Sequence, residues 1–263
     1  MFNKKGVGVV NKTKIDWCDM SWNPVTGCLH DCEYCYAEKI AKRFGKHMEG
    51  KGIVELHYKR DNPYPYDFYP TFHKYRLGEP ISKTKGVNIF VCSMADLFGE
   101  WVPSEWIRQV FETCVEAPQH RYLFLTKNPG RYIKVDSIAR NLSNVWLGTT
   151  VTNEDDRYKA WYLLANTSKN TNKFLSIEPL LGEFDLDKYE LLLKDYRNKA
   201  TLGNYLDWVI VGAETGNRKD KVIPKKEWIM AIKEQCKASG VPLFMKESLR
   251  KLMGEDFIQE YPW

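Results

Sequence analysis

No run of about eighteen apolar residues occurs in this chain of 263 residues, which removes a membrane-spanning helix from the options. The amino terminus, Met1-Phe2-Asn3-Lys4-Lys5-Gly6, carries neither an apolar segment nor a small-residue cleavage site, so no secretory leader is expected and a cytoplasmic location is. A disulfide framework is missing too. Seven cysteines are an odd number and three of them crowd together, a pattern suited to reduced thiols. Nucleotide signatures are absent: Gly212-Ala213-Glu214-Thr215-Gly216 is not a G-x-G-x-x-G fingerprint, and there is no P-loop. Sequence repeats and low-complexity linkers are lacking, so a single domain over 1–263 is expected. A net charge of +5 permits an anionic partner without requiring one.

What the chain does have is Thr26-Gly27-Cys28-Leu29-His30-Asp31-Cys32-Glu33-Tyr34-Cys35-Tyr36, with three cysteines in the order C-x3-C-x2-C. Thiolates this close suit a ligand cage. Three can hold three corners of a [4Fe-4S] cube and leave one iron without a protein ligand, whereas a closed zinc site needs a fourth ligand, for which His30 or His47 is available. Unligated thiols are the third option. Cys18 lies outside the spacing and reads as a buried or solvated thiol.

Along the chain, a short strand over 21–25 leads into the cysteines. Tyr36, Ala37, Ile40, Ala41 and Phe44 then form one apolar stripe on a helix that Gly45 can close. Further apolar runs at 88–94, 121–125, 145–150, 174–177, 208–211 and 243–245 read as buried parallel strands. Between them, Ser104 can cap a helix carrying Ile107, Val110, Phe111 and Cys114, and a later helix carries Trp228, Ile232 and Cys236 before Gly240. A loop over 198–205 joins two units through Gly203 and Asn204. The fold class is therefore α/β: a partial or nearly closed parallel (β/α) barrel of TIM type with about six to seven units.

Two features of that barrel bear on function. Catalytic groups of parallel barrels sit at the carboxyl ends of strands, and those ends are polar here: Ser93 and Asp96, Thr126 and Lys127, Thr149 and Thr152, Glu178, Glu214, and Lys246 with Glu247. The insertion 46–85 contains His57-Tyr58-Lys59-Arg60 and Asn62-Pro63-Tyr64-Pro65-Tyr66-Asp67-Phe68-Tyr69-Pro70, with no regular element expected. It is either an ordered cap over the barrel mouth or a nucleic-acid contact, with rings stacking on bases and Lys59, Arg60, Lys74 and Arg76 meeting phosphates.

The cysteine loop, with an aromatic residue before its last Cys, resembles that of the radical S-adenosylmethionine (SAM) enzymes. Trp22-Asn23-Pro24-Val25-Thr26-Gly27-Cys28, Ser93-Met94-Ala95-Asp96-Leu97-Phe98 and Val209-Ile210-Val211-Gly212-Ala213-Glu214-Thr215-Gly216 resemble a narrower group, phage-associated three-cysteine proteins. The resemblance implies that Cys28, Cys32 and Cys35 ligate a [4Fe-4S] cluster whose open iron binds SAM. Reductive cleavage then yields methionine and a 5'-deoxyadenosyl radical, with the electron coming from a donor such as flavodoxin or ferredoxin. It further implies that the Tyr34 backbone lies near the adenine and that Thr149, Thr152 and Glu178 meet the ribose. Cys92-Ser93-Met94-Ala95-Asp96 stands where the superfamily often has Gly-Gly-Glu, making Ser93 or Asp96 the acceptor for the SAM ammonium. Glu178, Glu214, Lys127 and Lys246 are the catalytic candidates. The expected substrate is a DNA base or nucleotide, through pyrimidine hypermodification or repair akin to that of spore photoproduct lyase. A peptide or small metabolite is the alternative, and a zinc-stabilised nucleic-acid-binding adaptor is the non-catalytic one.

Overall fold

The computed structural model describes residues 11–45, 52–60, 62, 64–188 and 205–263. His47, parts of the insertion and nearly all of the 198–205 loop fall outside them. The chain divides into two compact units, Met1–Asn128 and Pro129–Trp263.

In the first unit, strand β1 (Asn11–Lys12) runs antiparallel to β2 (Met20–Trp22). Beyond β2 lie β6 (Asn88–Val91) and β7 (Arg121–Thr126), parallel to it, with Trp22 opposite Val91 and Val91 opposite Phe124. Helix α1 (Tyr36–Phe44) follows the cysteines and α2 (Ser104–Glu116) joins β6 to β7. The amphipathic face of α2 buries Trp106, Ile107, Val110, Phe111 and Cys114, and Phe111 stacks on Phe124 at 4.7 Å. Burial of each large side chain contributes about 1.5–3 kcal/mol. Pro103 takes the cap position of α2 and Ser104 is its first helical residue, so the expected serine cap is not formed. The stripe on α1 is narrower than the sequence suggests. Ala37 and Ala41 are buried, while Tyr36, Ile40 and Phe44 are largely exposed.

The insertion contains regular structure that the sequence conceals. Strand β3 (Val25–Thr26) pairs antiparallel with β5 (Thr71–His73), which pairs in parallel with β4 (Val54–Leu56). Phe72 stacks on Trp106 at 5.0 Å, Lys74 pairs with Glu55 at 2.7 Å, and Arg76 donates to the Asn23 carbonyl at 2.9 Å. The described part of the insertion is therefore built into the unit that carries the cysteines.

The second unit alternates β8 (Val145–Val151), helix α4 (Arg157–Ala165, following a one-turn α3, Asp136–Ala139), β9 (Asn172–Ile177), β10 (Trp208–Val211), helix α5 (Lys226–Ser239) and β11 (Leu243–Met245). The strands lie side by side in that order, all parallel. Buried on both faces, they read as near-continuous apolar runs. The outer edge of β11 is covered by the chain's own tail: Met245 N–H donates to Ile258 O, Glu260 N–H to Leu243 O, and Trp208 Nε1 to Glu260 O. Among the described residues no helix is long and apolar enough to cross a membrane.

Candidate active site

The cysteine loop begins at a point of close approach. Gly27 has φ +88°, and a Cβ there would fall 2.2 Å from the Tyr69 carbonyl oxygen. Only glycine combines that backbone region with so little room. Gly27 N–H donates to Met94 O and Cys28 N–H to Phe68 O, so the loop is held between the segment after β6 and the returning insertion. Beneath it, Thr26 Oγ1 meets His73 Nε2 at 2.8 Å. Burial, aided by the Arg76 charge, depresses the His73 pKa to about 3, so the ring is a neutral hydrogen-bonding partner.

Cys28, Cys32 and Cys35 line one cavity of about 590 Å³, together with Leu29, His30, Asp31, Glu38, Lys42, Asp67, Phe68 and Tyr69. Burial above all, with the negative charges of Asp96 and the other two thiols, raises the Cys28 pKa to about 12. Cys35 also begins α1, its Sγ accepting from Glu38 N–H at 3.4 Å, at the helix end that favours negative charge.

Asp96 ties this loop to the ends of β6 and β7. Its Oδ1 accepts from Thr126 Oγ1 (2.7 Å) and Phe98 N–H (2.9 Å), while Oδ2 accepts from Lys127 N–H (2.9 Å) and lies 2.8 Å from His30 Nε2. Burial works to raise its pKa, but the His30 ring and the other donors hold it below the ordinary aspartate value. With four partners on two oxygens, Asp96 positions the loop and has little capacity left for a ligand ammonium. Lys127 Nζ donates to Tyr34 OH at 2.8 Å, which ties that sequence candidate to the cysteine loop. Ser93 donates through Oγ to Asn23 Oδ1, which also accepts from Met94 N–H, and Tyr36 OH donates to Ser93 O.

In the second unit Glu178 and Lys246 form an ion pair. Gly212 lies against it, and a Cβ there would fall 2.8 Å from Lys246 Cδ. Glu214 is buried and accepts from Arg218 Nε and Nη2, two N–H groups on one edge of the guanidinium, at 2.8 Å each. Thr152 donates to Asp156 at 2.7 Å, so its hydroxyl proton is engaged within the protein. Thr149 lies in the β8 row of Leu147 and Val151, whereas Thr150 alternates to the other row and pairs with Ser176. Asn23, His73, Thr150 and Ser176 escaped the sequence reading. Of these Ser176 and Thr150, each two residues before a candidate at a strand end (Glu178 and Thr152), left a signal in the period-two alternation of strands.

A family model described as a protein of unknown function (DUF5131) matches residues 12–252. The chain belongs to the DUF5131 family. No curated protein matches it. In structure, the DUF5131 chain is similar to a spore photoproduct lyase mutant with bound AdoMet and dinucleoside spore photoproduct, at TM-score 0.51 and 10% identity, over 88% of this chain and 64% of the other. The same lyase complexed with dinucleoside spore photoproduct gives the same values. A second mutant of that lyase matches at TM-score 0.55 and 9% identity, over 92% of this chain and 79% of that one. The DUF5131 chain thus spans just under two thirds of the ligand-bound lyase chains. At such identities the likeness is one of fold, and the fold it shows is the α/β partial barrel expected from the sequence.

The three thiols of the DUF5131 chain line one cavity and are a donor set that could take three corners of an iron-sulfur cube or, with a fourth ligand, a zinc ion. Three thiols share one cavity wall, yet among the described residues no three His, Cys, Asp or Glu side chains converge as a metal-ion site. Zinc draws its ligands onto one centre at about 2.3 Å from each sulfur. A cube spreads three thiolates over three irons, so they stand farther apart.

Proposed function

We propose that this protein is a radical SAM enzyme that acts on a nucleic-acid base or nucleotide, in phage-type DNA base modification or in repair. The observation that carries the reading is the shared cavity of Cys28, Cys32 and Cys35. Likeness in fold to a lyase solved with AdoMet and a dinucleoside supports it. Cys28, Cys32 and Cys35 would hold a [4Fe-4S] cluster, which with bound SAM supplies one-electron chemistry for abstracting a hydrogen atom from the substrate. The chain's own work is positioning. Asp96 fixes His30 and the Lys127 backbone, Lys127 fixes Tyr34, and Phe68 and Tyr69 line one side of the cavity. Glu178 and Lys246 provide a proton acceptor and a donor side by side, suited to gripping and orienting a polar ring.

Anaerobic reconstitution followed by iron and acid-labile sulfide analysis tests this reading. Stoichiometric cluster and formation of 5'-deoxyadenosine from SAM are expected, with both lost in C28A, C32A and C35A. One zinc and no iron in protein purified without oxygen, or turnover retained in a cysteine variant, overturns it.

A further inference from the structure

Helix α1 leaves apolar surface uncovered. At about 100° per residue, Ala37 and Ala41 point into the unit, while Glu38 and Lys42 turn toward the cysteine cavity and pair with each other at 2.8 Å. The remaining face carries Tyr36, Ile40 and Phe44 in one stripe of about 12 Å, with Lys39 and Arg43 beside it and no carboxylate. Tyr36 is 48% exposed, Ile40 37% and Phe44 57%. Exposed apolar residues scattered singly are ordinary, but three at i, i+4 and i+8 form a continuous patch, and such patches mark interaction surfaces. Tyr36 OH donates to the Ser93 carbonyl at 2.6 Å, and the Arg43 guanidinium lies 5.3 Å from the centre of the Phe44 ring, so the apolar and cationic rows make one surface.

The place of this surface bears on what it meets. Cys35 is the cap residue of α1 and Tyr36 is bonded to it, so the stripe starts beside a thiol of the cavity. A [4Fe-4S] cluster held there receives the electron for reductive cleavage of SAM from outside the chain, and the redox centre that delivers it has to come close. Lys39 and Arg43 complement carboxylates, which steer an encounter, and the apolar stripe supplies a contact that releases easily. Electron-transfer encounters bury less than about 1,200 Å², a scale to which one short helix face can contribute much. We propose that the exposed face of α1 is the docking surface for a small acidic one-electron carrier protein. One electron leaves the reduced carrier and enters the cluster, the carrier departs oxidised by one electron, and no covalent bond forms or breaks in this step. The inference rests on the cluster reading above and names the partner of that site.

The test follows the visible absorbance of the reconstituted cluster in stopped flow after mixing with reduced flavodoxin or reduced ferredoxin, both acidic, and separately with dithionite, which needs no docking. With the carriers, wild-type reduction should slow as salt is raised. K39E/R43E should be reduced about tenfold more slowly at low salt and should lose most of that salt dependence. I40S/F44S should need several-fold more carrier to reach half the maximal rate, with the salt slope kept. Iron content, Tm and the dithionite rate should match wild type in both variants. Unchanged carrier rates in both variants, an equal slowing with dithionite, or a wild-type cluster that neither carrier reduces overturns the proposal. So does wild-type protein that sediments as a dimer and becomes monomeric in I40S/F44S, because the stripe then faces a second copy. Protein that takes up zinc and no iron overturns the cluster reading itself, and the docking proposal falls with it.

Discussion

Asp96 holds the cysteine loop through hydrogen bonds to both of its oxygens, and Gly27 through a close backbone approach. Replacing Asp96 with Asn keeps the shape but swaps one acceptor oxygen for an NH₂ group that faces donors. D96N should therefore cost about 2–4 kcal/mol, read as a lowered urea midpoint, because a buried charged acceptor is lost from a satisfied network. At Gly27 the obstacle is backbone rather than charge. G27A forces a side chain into the Tyr69 carbonyl at positive φ. Its iron content after reconstitution should drop sharply while far-UV circular dichroism stays close to wild type, since the strain falls on one loop. A G27A protein that loads a full cluster would show that the loop relaxes freely.

The small sheet β3–β5–β4 behaves as the element that seats the cysteine loop, and His73 gives it a pH response. The His73 pKa is about 3 in the folded protein against 6.5 for the free side chain, so the unfolded chain binds more protons between those values. Stability from this group is present above about pH 6.5 and is lost as pH falls toward 3, at up to about 1.4 kcal/mol per unit. Wild-type Tm should decline from pH 6.5 to 5, and H73N should decline less. A second expectation concerns the basic residues of the insertion. Because Lys74 and Arg76 have partners inside the protein, R76A should lower Tm, and K59A/R60A should alone alter the salt dependence of oligonucleotide binding. Equal loss of salt slope in both variants would return Arg76 to the phosphates. Element by element, legibility follows burial. The long parallel strands declare themselves as apolar runs, but strands buried on both faces show no alternation, so the sequence alone does not separate the row of Thr149 from that of Thr150, which pairs with Ser176. Strands of two or three residues amid prolines and tyrosines leave no period to read, so the insertion looked irregular.

For the molecule as a whole, the α/β class and the cysteine loop were readable because each rests on residues close in sequence. The partners of Asp96, and the pairing of Glu178 with Lys246, join positions up to 68 apart and emerge only from the register of the sheet. The tail over β11 is a further long-range arrangement. Deleting 257–263 should leave the second unit's helices folded and turn a concentration-independent sedimentation profile into one that shifts to larger species with protein concentration. An unshifted profile would mean that the edge protects itself. By occupying those carbonyls and amides, the last residues act as a tethered competitor for strand exchange: a second chain would have to displace a segment whose local concentration is fixed by covalent connection.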